Sequence, residues 1–303
     1  MSTQIGPFWS ANRKFVIESL EEGLLDDLAQ RLCDLRNEPV WVDATDRVDE
    51  EITVFRIERN GPTWMSHPWG LWRDDEPCET TVTNDYVIPY VLWEVTRLAL
   101  EGAQMPVVPM HAASLVHRGH AIALTGPSHS GKSTLAAWLT RSGWGFLTDE
   151  VSLLDTSVAD RPIVNPFWRP IGVRRPGPLD DVVELPSDAS EVLLPASSIG
   201  ELASPAPLVA LVCPTYSEGA SSSLEPLGAA AALTLVADQL PSLGRDGGPV
   251  FHALADVVSV IPAFQMLVDD LDTAERELAS LVDRLIDERA EAGEQLLGSE
   301  SNR

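Results

Sequence analysis

The sequence predicts an α/β protein: a core that alternates strand, loop, helix and strand, preceded by a smaller α+β unit. Three observations carry this reading. The stretch GPSHSGKST, Gly126 to Thr134, matches the phosphate-loop pattern G-x-x-x-x-G-K-[ST]. An apolar run, AIALT, leads into that loop, and KSTLAAWLTRSG leads out of it with helical spacing. Six of the nine tryptophans lie before residue 100, among short alternating runs. The expected divisions are 1–105 for the N-terminal unit, 106–290 for the loop-bearing unit and 291–303 for a flexible polar tail.

In chain order, the stretch from Ser19 to Cys33 places Leu24, Leu25, Leu28 and Leu32 on one helical face. VWVDA and ITVFRIERNGPTWM read as strands, the second running into an Arg-Asn-Gly-Pro turn. Residues 86–101 read as a buried helix stopped by Gly102, and core filling is the expected task of the N-terminal aromatics. AASLVHRGHAIALT reads as two strands about Arg118-Gly119. If residues 117 and 120 face each other, His111 lies opposite Gly126. The helix after the loop stops at Gly143, and WGFLTDE is a strand ending on two carboxylates. Residues 176–228, rich in Pro, Ser and Ala, support no assignment. AAALTLVADQL reads as a helix, VVSVIPAFQML as a strand, and the run from Asp272 to Gly293 as an amphipathic helix buried along Leu278, Leu281, Val282 and Leu285.

Each loop position has a physical task. Gly126 turns the chain off the strand, and Gly131 lets the backbone approach a phosphate closely. Lys132 reaches the terminal phosphates, and the Ser133 hydroxyl ligates Mg²⁺. Ser128, Ser130 and Thr134 complete a nucleotide-binding set with backbone N–H groups at a helix N-terminus. His129 is open to a phosphate oxygen or to solvent, with solvent favoured. The motif's lysine is one of two in the chain, with Lys14. ATP with Mg²⁺ is the expected ligand pair.

Asp149 and Glu150 follow Lys132 after one helix, a turn and a short strand, which brings them to the ligand-binding edge of the sheet. Carboxylates there can hold a metal or accept a proton from an attacking hydroxyl. The alternative is an acidic turn. His111 is either structural or catalytic on spacing alone. Arg161, Arg169, Arg174 and Arg175 cluster in an acidic chain, either to neutralise transferring phosphate or to pair with surface acids.

Residues 111–151, HAASLVHRGHAIALTGPSHSGKSTLAAWLTRSGWGFLTDEV, resemble the catalytic core of HPr kinase/phosphorylase and HPr-kinase-like proteins. The resemblance implies a P-loop kinase core of the HPr kinase C-terminal domain type behind the small α+β domain. It implies that Asp149 is the base for an acceptor hydroxyl, Glu150 a second acid near the metal, and His111 an assistant to Asp149. The family has Asp at both acidic positions; here the second is Glu150. No counterpart of the family's G-L-G-I-I-N signature follows residue 176, and no lysine follows Lys132. The relatives acting on serine of small precursor peptides therefore fit better than those acting on HPr. A homo-oligomer is left open.

A net charge of −25 repels nucleic acid and anionic membrane, so neither is an expected partner. Three scattered cysteines, no signal region and no apolar run of membrane-spanning length point to the cytoplasm. The expected activity is ATP-dependent transfer to a hydroxyl, with serine of a peptide or protein favoured. A nucleotide-hydrolysing switch and a small-molecule kinase are the alternatives. The argument against the switch is that mechanical ATPases interpose another strand between loop and acidic pair.

Overall fold

The computed structural model describes residues 3–37, 52–60, 65–158, 160–174, 177, 179–180, 191–240 and 247–300. The strand expected at VWVDA, the end of the Arg-Asn-Gly-Pro turn and Arg175 lie outside them. Among the described residues no helix is long and apolar enough to cross a membrane.

The N-terminal part builds one five-stranded sheet from β1 (Thr3–Ser10), β2 (Arg13–Ser19), β3 (Ile52–Arg59), β4 (Trp69–Arg73) and β5 (Glu76–Val82), in that order. β2 and β3 are parallel, joined past α1 (Glu22–Arg31), which buries Leu25 and Leu28 as its spacing predicts. Alternation in β3 sends Thr53, Phe55 and Ile57 inward. α2 (Val87–Gly102) packs on the same sheet and ends at the expected glycine. The aromatic core here is Phe8, Phe15 and Phe55, with ring centroids 5.4 and 5.7 Å apart. Tryptophans fill it less than expected. Trp9 and Trp69 are buried, but Trp72 is only half-buried and Trp93 is exposed. Each of the four carries a Lys or Arg over its ring, because an indole offers a cation a favourable face. Val151, Leu153 and Phe167 complete this same cluster, so its core is shared with the second sheet.

The second sheet has β6 (Val107–Met110), β7 (Ala112–His117), β8 (His120–Thr125), β9 (Gly145–Thr148), β10 (Ser152–Asp155), β11 (Ile163–Asn165), β14 (Ala206–Tyr216), β15 (Ser223–Leu227) and β16 (Ala263–Val268). β12 (Ile171–Arg174) and β13 (Glu191–Leu194) form a separate antiparallel pair. β8 is parallel to β14, and β14 to β16. Two layers of helix cover the centre. α3 (Lys132–Arg141) and α6 (Leu271–Glu300) bury Ile122 and Leu124 on one face. α4 (Ala229–Ala237) and α5 (Gly247–Val260) bury Ala121 and Ala123 on the other. Burial on both faces makes the strands continuously apolar rather than alternating.

The β7–β8 hairpin has the expected register. His117 faces His120 and Ala112 faces Thr125, about a turn with Arg118 at φ 49° and Gly119 at φ 76°. Both central residues are left-handed, the requirement of a tight hairpin turn matching strand twist. α3 stops at Gly143 (φ 98°), where Gly143 N–H reaches Thr140 O at 3.2 Å and Trp144 N–H reaches Leu139 O at 3.0 Å. This is the double bond pattern of a Schellman cap.

Three expectations are corrected. The run VVSV closes α5 instead of opening a strand; β16 begins only at Ala263, after Pro262. Its branched residues read as a strand, but Val257 and Val258 are one buried side of a helix. The unassigned stretch 176–228 contains β14, the central strand, whose apolar core LVALV is flanked by proline and serine. The last helix runs through Gly293 to Glu300, beyond the point where its sequence pattern gives out.

Candidate active site at the phosphate loop

Five strand ends meet at one sheet edge. β8 and β9 both run antiparallel to β7, so they are parallel to each other and end together. The start of β7 and the ends of β14 and β16 lie at the same edge, where ligands of such sheets bind. His111, the loop and Asp149 are therefore neighbours by topology. β7 does stand between the loop strand and the acidic strand, so the objection to a hydrolysing switch drawn from an interposed strand fails.

The loop has the backbone its glycines promise. Gly126 has φ 137°, and a Cβ there would lie 2.9 Å from Cys213 Sγ. Gly131 has φ 99° and caps α3. His129 is left-handed as well, at φ 69°, a conformation that costs a non-glycine residue. It is exposed, and Arg174 Nη1 donates to its Nδ1 at 2.8 Å. Ser128 is exposed and Ser133 and Thr134 are half-buried, while the buried Ser130 hydroxyl has no partner among the described residues. Lys132 is buried, its Nζ donating to Gly126 O at 2.8 Å and Pro127 O at 3.0 Å. Burial holds its pKa below the ordinary value, against the pull of Asp149 and Glu150.

The two acids differ in environment. Asp149 is only 8% exposed, and its Oδ1 has no hydrogen-bond partner among the described residues. Burial, and then the Glu150 charge, push its pKa from 3.8 to about 7, against Arg169, a Ser133 hydrogen bond and Lys132. Glu150 is half-buried, with Oε2 2.9 Å from Arg169 Nη1 and Oε1 3.5 Å from His111 Nδ1. His111 Nδ1 also sits 2.9 Å from Glu150 O. A carbonyl only accepts, so Nδ1 carries the proton. His111 thus meets the acidic pair through Glu150.

The arginine cluster separates. Arg169 and Arg174 reach the site, from the segment after β11 and from β12. Arg161 lies away from it, beside Arg289, whose pKa is lowered first by burial and then by the Arg161 charge.

The acidic pair, with the buried Asp149 Oδ1 unpartnered and the Ser133 side chain close enough to lower the Asp149 pKa, suits a hard cation such as Mg²⁺, which takes one or two carboxylates together with phosphate oxygens. Among the described residues no group of three or more His, Cys, Asp or Glu is placed to hold a metal by itself.

A cavity of about 680 Å³ opens on the other side of the loop. It runs from His129 through Trp138 to β12, the end of β14 and the start of α6. Sequence reasoning had no access to it. Tyr216 and Asp270 are more than 80 residues from the loop and fit no motif that points there.

No family model and no curated protein matches the chain. Among solved structures, the Hpr(Ser) kinase/phosphatase from Coxiella burnetii is similar over 61% of this chain and 98% of that one, at 13% identity and a TM-score of 0.32. A likeness of that size decides nothing about the reaction.

Proposed function

We propose that the protein is an ATP-dependent phosphotransferase acting on a hydroxyl, with serine of a peptide or protein as the favoured acceptor. The observation that carries this is Asp149, a buried carboxyl with a pKa of about 7 at the same sheet edge as the phosphate loop. A base works best when its pKa lies near the working pH. Asp149 takes the acceptor's proton as the acceptor oxygen bonds to the terminal phosphorus, and the bond to the leaving nucleoside diphosphate breaks. Loop N–H groups and Lys132 hold the phosphates, while Arg169 and Glu150 set the charge around the base. Mg²⁺ would be held by Ser133 and Glu150, beside Asp149, and would supply charge neutralisation there. On this reading residues 1–105 serve recognition and 106–290 transfer.

A hydrolysing switch is the second reading, favoured by the strand between loop and acids. The test is mass spectrometry of candidate serine peptides after incubation with Mg-ATP, alongside acceptor-free turnover. A phosphate-sized mass gain with slow acceptor-free hydrolysis supports the kinase. Fast acceptor-free hydrolysis, about one per second or more, supports the switch.

A further inference from the structure

We infer that the cavity beside the loop is the nucleoside subsite, with Tyr216 as its stacking platform, and that the acceptor enters from the opposite side. This inference rests on nucleotide binding at the loop.

The first argument is continuity. The cavity is lined by Ser133 and Thr134 at the start of α3 and then, one turn on, by Trp138. Phosphates held by the loop N–H groups and the helix N-terminus leave the rest of a nucleotide to run along this flank. The volume of about 680 Å³ falls within the ordinary range of small-ligand clefts.

The second argument is chemistry. Tyr216 is 59% exposed, a large aromatic left at the cavity wall beside the loop. It is fixed to the loop by its backbone, Tyr216 N–H to Ser130 O at 3.3 Å, with its Cβ 3.8 Å from where a Gly131 Cβ would stand. The lining cations are Arg174 and, on the loop side, Lys132; the wall away from the loop is acidic, with Asp269, Asp270 and Asp272 around the start of α6 and Glu191 from β13. A polyphosphate is repelled there. Ribose hydroxyls and a base amino group, which donate hydrogen bonds, are not. Phosphates belong on the loop and the uncharged nucleoside in the cavity.

The third argument is partition. None of His111, Asp149, Glu150 and Arg169 is among the residues lining the cavity. Asp149 directly follows β9, two strands from β8 on one side, while Tyr216 ends β14, the neighbour of β8 on the other. A nucleotide with its base over Tyr216 turns its terminal phosphate toward Asp149, so the proton acceptor and the transferred group meet.

The experiment measures calorimetric affinity of the full chain for a non-hydrolysable Mg-ATP analogue and for Mg-tripolyphosphate, in wild type, Lys132→Ala, Tyr216→Ala and Tyr216→Phe. Tyr216→Ala should weaken the nucleotide analogue by about tenfold or more, the usual worth of one aromatic stack. Tripolyphosphate should bind as in wild type, and Tyr216→Phe should restore the analogue. If Tyr216→Ala changes neither affinity, or lowers both equally, the cavity does not hold the nucleoside. If wild type binds tripolyphosphate in a Lys132-dependent way yet shows no preference for the nucleotide, the loop reading stands and the cavity assignment falls. If wild type binds neither, both fall together.

Discussion

Arg169 Nη1 lies 2.9 Å from Glu150 Oε2, one residue beyond the buried carboxyl of Asp149. The two neighbours act on Asp149 in opposite directions: Glu150 raises its pKa and Arg169 lowers it. Arg169 thus offsets the like-charge repulsion of an acidic pair and keeps Asp149 titrating at about 7 rather than higher.

Arg169→Gln should therefore raise the Asp149 pKa. The active form is the deprotonated carboxylate, so the acid limb of the pH–rate profile should move to higher pH. The rate lost at pH 7 should be recovered at pH 8 to 9. A uniform loss at every pH would mean that Arg169 contacts a substrate instead of setting the base.

Burial of Asp149 has a consequence for stability. Its pKa is about 7 when folded and 3.8 in the reference state, so the folded protein holds the proton more tightly. The cost of this group is absent below pH 4, grows as pH rises toward 7, and is complete above that. Asp149→Asn removes the charge and should raise the melting temperature at pH 8. The gain is on the order of a few kcal/mol at most and should shrink toward zero near pH 4. Equal melting shifts at pH 5 and pH 8 would contradict a buried carboxyl with a raised pKa.

Lys132 ties the loop to itself through Gly126 O and Pro127 O. Lys132→Ala should abolish or greatly weaken Mg-ATP binding, since the ammonium is the loop's own charge for the terminal phosphates. Calorimetry on a folded mutant with unchanged affinity would remove the nucleotide site from consideration.

Legibility varied with how local the information was. The hairpin register followed from a single pairing, His117 with His120, because antiparallel partners keep a constant sum. The Schellman stop at Gly143 was legible for the same reason: one glycine decides it. Tertiary context hid the rest. The run VVSV is as branched as a strand, and only its burial against the sheet makes it helix. β14 lay among prolines that mask its apolar centre. The partners of Glu150 come from Arg169 and His111, and the cavity draws on segments from His129 to Asp272. Proximity between such distant segments leaves no mark in either sequence.

The acidic pair and His111 give the most discriminating set of mutants. Asp149→Asn keeps size and polarity but cannot take a proton, so phosphotransfer should fall by about 10²–10⁴-fold while ATP binding survives. Glu150→Gln removes the charge that raises the Asp149 pKa, so the acid limb of the pH profile should move to lower pH. It should also raise the Mg²⁺ requirement if Glu150 shares the metal. The His111 imidazole is placed against Glu150, through its carbonyl at 2.9 Å and its carboxylate at 3.5 Å. His111→Ala should cost less than Asp149→Asn and add little more in a Glu150→Gln background, because residues in one contact chain are not additive. The measurement is a double-mutant cycle on phosphotransfer rates, with Mg²⁺ titrations on each single mutant. Full additivity would show that His111 acts independently of Glu150, on the substrate or on Asp149. If Asp149→Asn keeps near wild-type rates while Glu150→Gln is inactive, the roles of the two acids are exchanged. In that case Arg169 pairs with the base itself rather than with its neighbour.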